Sequence, residues 1–258
     1  GLAWQIPKNL LGLVKSVKTN QESYLRPGSQ GLIINYKDDI EFRAGGIGHW
    51  GVKTTGQITK QGPLACGLRF ASTEGLRSDR SVKSVVEMHF PRSKSWMEVV
   101  WTIEDPERFV GGMMADLELN IAGPPALVDF GAGSMVYAAL KKGQSAVLAA
   151  GAPQAGRPLW TIDLDGVQYA SGKTPPVDGW VHVMDKQRAV AAAMADFAQP
   201  QQDSIEVSAD GHLRVRRNFS GGAERTLRFW VHFVGMPVHV GAATSPQSMQ
   251  SPLVLEWR

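Results

Sequence analysis

Arg228, Trp230 and His232 occupy alternate positions of residues 225–240, RTLRFWVHFVGMPVHV, near the end of the chain. In a β-strand such positions share one face, while the apolar residues between them point toward the core. A cation, a flat aromatic ring and a titratable ring in one row are typical of a ligand-binding face. The alternative is a strand at a sheet–sheet contact, with Trp230 half buried and His232 hydrogen-bonded. Alternation shows which side chains share a face, but it does not show what that face does.

Other strand-like segments also carry polar side chains at alternate positions. They are Glu87 and His89 in residues 81–90, Glu118 in residues 116–121, and Arg214 and Arg216 in residues 212–219. If these strands adjoin in one sheet, their side chains line a broad polar groove with an aromatic floor. Sugars suit such a groove, since rings stack on tryptophan, hydroxyls find charged hydrogen-bond partners, and arginine forks onto a carboxylate. The alternative is a solvated outer face with cross-strand ion pairs, such as Glu118 with Arg214.

A glycine-rich segment, RAGGIGHWG at residues 43–51, is the other candidate site. Its four glycines let the backbone approach a ligand closely, and they bracket His49 and Trp50, with Arg43 at the start. Neither phosphate-binding glycine motif is present, so the segment is no phosphate cradle. A structural hairpin with Trp50 as a plug explains the pattern equally well.

Composition excludes several classes of protein. The chain has 258 residues with 43% hydrophobic and 20% charged residues, which indicates a folded protein. A net charge of +3 without any lysine- or arginine-rich run argues against nucleic acid as a partner. No apolar run is long enough to span a membrane.

Cys66 is the one cysteine and cannot form an intramolecular disulfide. The six histidines show no metal-ligand spacing, and no nucleophile elbow occurs, so we expect no metal and no cofactor.

Strand patterns dominate the chain and alternate with turn dipeptides such as Asp-Gly and Gly-Gly. Besides 225–240, strands are predicted over residues 31–36, 81–90, 95–103, 116–121, 159–164, 180–184, 204–207, 212–219 and 253–257. Residues 186–198, KQRAVAAAMADFA, are alanine-rich and fit a helix or a strand. This spacing favours an all-β sandwich of two large antiparallel sheets, one of them concave, formed by residues 1–258 as one domain.

Four segments resemble a known family: QGPLACGLRF, SVVEMHFPRSKSWMEVVWTIEDPE, DGWVHVMDKQRAVAAAMADFAQPQQDSIEVSADGHLRV and RTLRFWVHF. They are similar, in order over residues 60–235, to the central β-sandwich domain of exo-rhamnogalacturonan-lyase-like proteins. The resemblance implies a galactose-mutarotase-like supersandwich and a carbohydrate partner, with uronic-acid polysaccharides as substrates. Those proteins are larger and carry an added helical barrel. No catalytic residue of that family matches a position here, so none is carried over. We expect a secreted or periplasmic bacterial protein whose signal peptide is absent from this chain.

The leading hypothesis is a polysaccharide lyase that acts by β-elimination on a uronic-acid sugar. A cation must neutralise the substrate carboxylate, a base must remove the weakly acidic C5 proton, and an acid must protonate the leaving oxygen. Candidate cations are Arg228, Arg214, Arg216 and Arg43; candidate bases are His232, His89 and His49. Substrate contacts are expected from Trp230, Trp50 and Glu118. The acid is a tyrosine or a histidine. Among the tyrosines, Tyr137 and Tyr169 are expected in the core, which leaves Tyr36 and Tyr24, the latter in a loop beside Arg26.

Two other functions remain open from the sequence. One is a carbohydrate-binding module without catalytic activity. The other is a sugar epimerase or mutarotase, which needs a histidine and a carboxylate across the sugar ring, a role that His232 with Glu118 or Glu87 could fill.

Overall fold

A computed structural model describes residues 2–10, 12–19, 22–36, 41–43, 54–77, 80–92, 94–108, 112–125, 127–131, 135–151, 157–173, 179–197 and 203–235. Every regular element in these ranges is a β-strand, and the strands pair antiparallel. Two short strands, β1 (Ala3–Gln5) and β2 (Ser16–Lys18), form a small separate ribbon.

The larger sheet has nine strands in the order β11-β10-β15-β16-β19-β8-β7-β6-β5. Its strands are β5 (Thr55–Gln61), β6 (Ala65–Arg77), β7 (Arg80–Pro91), β8 (Trp96–Glu104), β10 (Leu127–Gly131), β11 (Met135–Ala139), β15 (Trp180–Met184), β16 (Arg188–Met194) and β19 (Glu224–Gly235).

The second sheet has eight strands in the order β14-β13-β12-β17-β18-β9-β3-β4. Its strands are β3 (Gly31–Tyr36), β4 (Glu41–Arg43), β9 (Gly112–Asn120), β12 (Ser145–Ala150), β13 (Trp160–Leu164), β14 (Val167–Gly172), β17 (Ser204–Ser208) and β18 (His212–Ser220).

The core lies between the inner faces of the two sheets. Trp101 and Phe229 of the larger sheet are fully buried in one apolar cluster with Leu117 and Val215 of the second sheet. Alternation explains this arrangement, because β8 buries every second residue over its whole length. Each sheet therefore keeps one face that points away from the core, and these two outer faces lie on opposite sides of the molecule.

The predicted fold class, an all-β sandwich of two antiparallel sheets, is confirmed. The predicted strands within the described ranges are present, with ends shifted by a few residues, whereas residues 253–257 lie outside those ranges. The ambiguous alanine-rich segment contains strand β16. Alanine favours helices, but here the strand pairs with β15 and β19 and both of its faces are buried. This packing overrides the helix propensity of alanine.

Candidate functional site

The tripeptide Trp-Val-His occurs twice in the nine-stranded sheet, once in β15 and once in β19, and each copy places its tryptophan and histidine on the outer face and its valine in the core. Both strands pair antiparallel with β16, so they run parallel to each other. Trp180 and Trp230 are opposite Ala193, and His182 and His232 are opposite Ala191. The two tryptophans therefore lie at one level and the two histidines at the next, on either side of an alanine strand.

The middle strand of this face, β16, carries only small alanine side chains between the larger rings. Ala191 and Ala193 pack with the two indole rings in a small apolar cluster separate from the core, to which Trp96 also contributes. Because neighbouring strands are about 4.8 Å apart, the two histidine backbones are separated by roughly 9.6 Å. The tryptophan and histidine rings of β15 and β19 thus flank the alanine methyl groups of β16.

Asp129 of β10 extends the histidine row by one strand. It is the register partner of His182, and its carboxylate Oδ2 lies 4.0 Å from His182 Nδ1. The Trp180 ring lies 5.3 Å from the His182 ring and rests over Gly131, where an added Cβ would come within 1.9 Å of the indole nitrogen. Glycine at position 131 is therefore required for the placement of Trp180.

Burial shifts the titration of all three ionisable groups in this row. It raises the pKa of Asp129 to about 6 and lowers the pKa of His182 to about 4. The pKa of His232 is lowered to about 4 by burial and also by the nearby His182. At neutral pH both histidines are consequently uncharged, and the contact between Asp129 and His182 is not an ion pair. Each neutral imidazole offers one donor and one acceptor nitrogen.

Three polar atoms of this face are buried without a hydrogen-bond partner among the described residues. They are Asp129 Oδ1, the Trp180 indole nitrogen and His232 Nδ1. The other ring nitrogen of His232 is engaged, since Nε2 lies 2.7 Å from the Ser95 hydroxyl. Buried polar groups are nearly always paired, so three orphaned atoms on one face are a strong departure from the rule. We call Asp129, Trp180, His182, Trp230 and His232 the tryptophan–histidine face.

Arg228 borders this face and is half exposed. Its guanidinium lies 5.0 Å from the centre of the Trp230 ring, a cation–π contact, and its Nε donates a 2.6 Å hydrogen bond to Glu98. Trp230 itself is buried, with 2% exposure. The row predicted from the sequence is therefore present, with Arg228 at its exposed end and His232 at its buried end.

The predicted side chains do not all adjoin in one sheet, so the condition for a single polar groove is not met. Arg214, Arg216 and Glu118 belong to β18 and β9 of the eight-stranded sheet, while Arg228, Trp230 and His232 belong to the other sheet. Two outer faces of a sandwich cannot line one groove.

Cross-strand ion pairs occupy the outer face of the eight-stranded sheet. Arg216 donates two 2.7 Å hydrogen bonds to Asp116, and Arg214 donates a 2.7 Å hydrogen bond to Glu118. Hydrogen bonding from His212 and Arg214 lowers the pKa of Glu118 to about 2, against the effect of burial. The alternative interpretation of these residues, a ladder of cross-strand ion pairs, matches the contacts.

The remaining predicted residues fall in different places. His89 lies on the outer face of the nine-stranded sheet, opposite Glu98 and two strands from Trp230. Arg43 ends β4, at the edge of the other sheet, and His49 and Trp50 lie outside the described residues. Tyr24, a candidate acid, is not accessible to a ligand, because it is 1% exposed and packs edge-on against Phe233 in the core.

Sequence reasoning missed Asp129, Trp180 and His182 as functional candidates. A signal for two of them was present, since Trp-Val-His at 180–182 repeats the tripeptide at 230–232. Asp129 gives no such signal, because only strand pairing brings it beside His182.

No group of three or more potential metal ligands occurs within the described ranges. The described part of the chain also contains no helix that is long and apolar enough to cross a bilayer.

Comparisons with known proteins show a shared fold. The chain is similar to an α-N-acetylgalactosaminidase from Bifidobacterium bifidum solved as a GalNAc complex, with 14% identity, a TM-score of 0.53, and coverage of 91% of this chain and 35% of that one. A quadruple mutant of the same enzyme gives 11% identity and a TM-score of 0.56, with the same coverage. A galactose mutarotase-like protein from Lactobacillus casei gives 9% identity and a TM-score of 0.45, covering 91% of this chain and 100% of that one.

The chain thus spans about a third of the length of the N-acetylgalactosaminidase, 35%. No protein-family model and no curated protein sequence matches it. At these identities the likeness to the N-acetylgalactosaminidase establishes the fold alone.

Proposed function

We propose that this protein binds a carbohydrate on the tryptophan–histidine face and exchanges a proton with it through Asp129. The observation that carries the proposal is the set of three polar atoms on that face that are buried without a hydrogen-bond partner in the described part of the chain. A sugar supplies hydroxyls that both donate and accept, which fits one carboxylate oxygen, one indole N–H and one imidazole nitrogen.

The charge state of the face favours a neutral sugar ring at its centre. Both histidines are uncharged near pH 7, because burial lowers the pKa of each to about 4. Their rings can therefore hydrogen-bond hydroxyls without bringing a second charge into a buried site. The fold relative from Bifidobacterium bifidum was solved with GalNAc, also a neutral sugar, which agrees with this choice.

Asp129 is the group suited to proton transfer. A carboxyl whose pKa is raised to about 6 is close to neutrality, where a general acid or base is most effective. As a base it must be ionised, so turnover should rise as the pH increases through about 6. In the interconversion of sugar anomers, a base takes the proton of the anomeric hydroxyl while the ring C–O bond breaks and the ring oxygen gains a proton from water, and ring closure reverses both transfers. Asp129 is the base in this scheme.

Binding is tested first, on a glycan array and then by calorimetry with the sugars that bind. His182→Ala and His232→Ala should each weaken binding about tenfold, the effect of losing one or two hydrogen bonds at about 1.4 kcal/mol per factor of ten. The matched control is Arg214→Ala, on the opposite outer face, which should leave affinity unchanged. Equal affinity in all three variants would refute the site.

Catalysis is tested by polarimetry on the bound monosaccharide. Wild-type protein should accelerate equilibration, with the pH profile described above, and Asp129→Asn should bind the sugar but lose the acceleration. Binding without any acceleration in the wild type would leave a carbohydrate-binding module as the function.

A second candidate, β-elimination on a uronic-acid glycan, is favoured by Arg228. Its half-exposed guanidinium over Trp230 could contact the carboxylate of a sugar stacked beside it. A panel of uronate polysaccharides should then yield an unsaturated, ultraviolet-absorbing product, and Arg228→Ala should abolish it. Absence of that absorbance, together with polarimetric activity, would favour the first candidate over a lyase.

A further inference from the structure

Two tyrosines at one edge of the sandwich are exposed and held together. Tyr137 on β11 is 51% exposed and Tyr169 on β14 is 54% exposed. The Tyr169 hydroxyl donates a 3.1 Å hydrogen bond to the backbone carbonyl of Tyr137. Because β11 and β14 are the last strands of their sheets, this bond joins the two sheets at that edge. The sequence-based expectation that both tyrosines belong to the core is therefore wrong.

Tyr137 continues the histidine row described above. Its register partner is Asp129, whose partner on the other side is His182, so all three share the outer face of the nine-stranded sheet. From β19 to β11 there are four strand spacings, about 19 Å in total. That span accommodates several linked sugar residues lying across the strands.

Exposed apolar side chains concentrate at this edge. Six large apolar side chains are exposed in the described ranges, and four of them lie on β10, β11 and β14: Leu127, Tyr137, Val167 and Tyr169. A concentration of exposed apolar side chains is a feature of interaction surfaces. Tyrosine has a flat apolar face and a polar tip, which suits a sugar with its hydrophobic ring face and its hydroxyl rim.

We propose that Tyr137 and Tyr169 form a second saccharide subsite, which receives the outer residues of a glycan whose first residue occupies the tryptophan–histidine face. The proposal rests on the function proposed above. Continuity of the register selects a glycan as occupant, because a ligand that reaches Asp129 and extends away from Trp230 passes directly over Tyr137. The hydrogen bond between the tyrosines holds Tyr169 in place beforehand, which reduces the entropy lost on binding.

Calorimetry with sugars of different length tests this subsite. The probes are galactose with galactotetraose and galacturonic acid with tetragalacturonic acid. In Tyr137→Ala the affinity for the tetrasaccharide that binds should fall about two- to tenfold, the contribution of one aromatic contact, while affinity for its monosaccharide stays unchanged. Tyr169→Phe keeps the ring and should lose less than Tyr169→Ala. Ile58→Ala is the matched control, since it removes a 62% exposed side chain from β5 at the opposite edge.

Three outcomes would overturn the subsite while leaving the proposed function standing. One is unchanged tetrasaccharide affinity in Tyr137→Ala. Another is an equal loss for monosaccharide and tetrasaccharide, which would place Tyr137 in the first site. The third is concentration-dependent self-association in sedimentation that Tyr137→Ala abolishes, which would make this edge an interface between copies. If none of these sugars binds and the glycan array is also blank, the proposed function fails and the subsite fails with it.

Discussion

Replacing Asp129 by asparagine should stabilise the protein above neutral pH and have no effect in acid. Burial raises the pKa of this carboxyl from 3.8 to about 6, and its side chain is 7% exposed. A folded-state pKa above the unfolded value means that the folded chain holds the proton more tightly. Stability is therefore lost as the pH rises from about 4 to about 6, and the loss is complete above that range.

The magnitude follows from the gap between the two pKa values. A gap of about 2.2, at 1.36 kcal/mol per pKa unit, corresponds to about 3 kcal/mol of unfolding free energy at pH 8. By the same relation the gain from Asp129→Asn should be about 1.6 kcal/mol at pH 5 and close to zero at pH 3. Asparagine has nearly the same shape and cannot ionise, so it removes the buried charge without opening a cavity.

Urea unfolding followed by tryptophan fluorescence, repeated from pH 3 to pH 8, measures this gain. The matched control is Glu118→Gln, because Glu118 is also buried but hydrogen bonding from His212 and Arg214 lowers its pKa from 4.5 to about 2. A lowered pKa means that the folded chain favours the ionised carboxylate, so this variant should destabilise the protein by about 3 kcal/mol at neutral pH. An Asp129→Asn protein no more stable than wild type at pH 8, or a gain independent of pH, would refute the reasoning.

Two further substitutions test whether saccharide binding depends on the outer face of the nine-stranded sheet and not on that of the eight-stranded sheet. Gly131→Ala places a methyl group against Trp180 and should lower the unfolding free energy by about 1–3 kcal/mol and weaken saccharide binding, whereas Gly62→Ala, with open space around it, should change neither. Arg216→Ala leaves Asp116, whose side chain is 1% exposed, without its arginine counter-charge and should lower the unfolding free energy by about 3 kcal/mol at unchanged affinity. Calorimetry and urea titration report both, and a binding defect in Arg216→Ala would contradict the placement of the site.

Local pattern determines much of this protein. The period-two alternation of residues 224–235 identifies both the strand and its faces, so Arg228, Trp230 and His232 were assigned correctly to one side. The repeated Trp-Val-His tripeptide is also visible in the sequence, but only the pairing of β15 and β19 with β16 shows that the two copies lie side by side. An alanine-rich segment is not legible in this way, because alanine fits a helix as well as the buried strand β16 that it forms.

Strand order was decided by the tertiary structure alone. Whether Arg214 and Trp230 share a groove depends on which sheet each strand joins, and alternation carries no information about pairing partners. The same limit hid Asp129, which becomes a candidate only beside His182.

The burial of individual side chains was also decided by the tertiary structure. Tyr24 lies in the core and Tyr137 is exposed, although their types are identical. The sequence alone thus determined that the chain is all-β and which residues share a face of each strand, since these follow from local backbone geometry. The tertiary structure decided which faces meet and which groups are buried, because pairing and desolvation arise from contacts between distant parts of the chain.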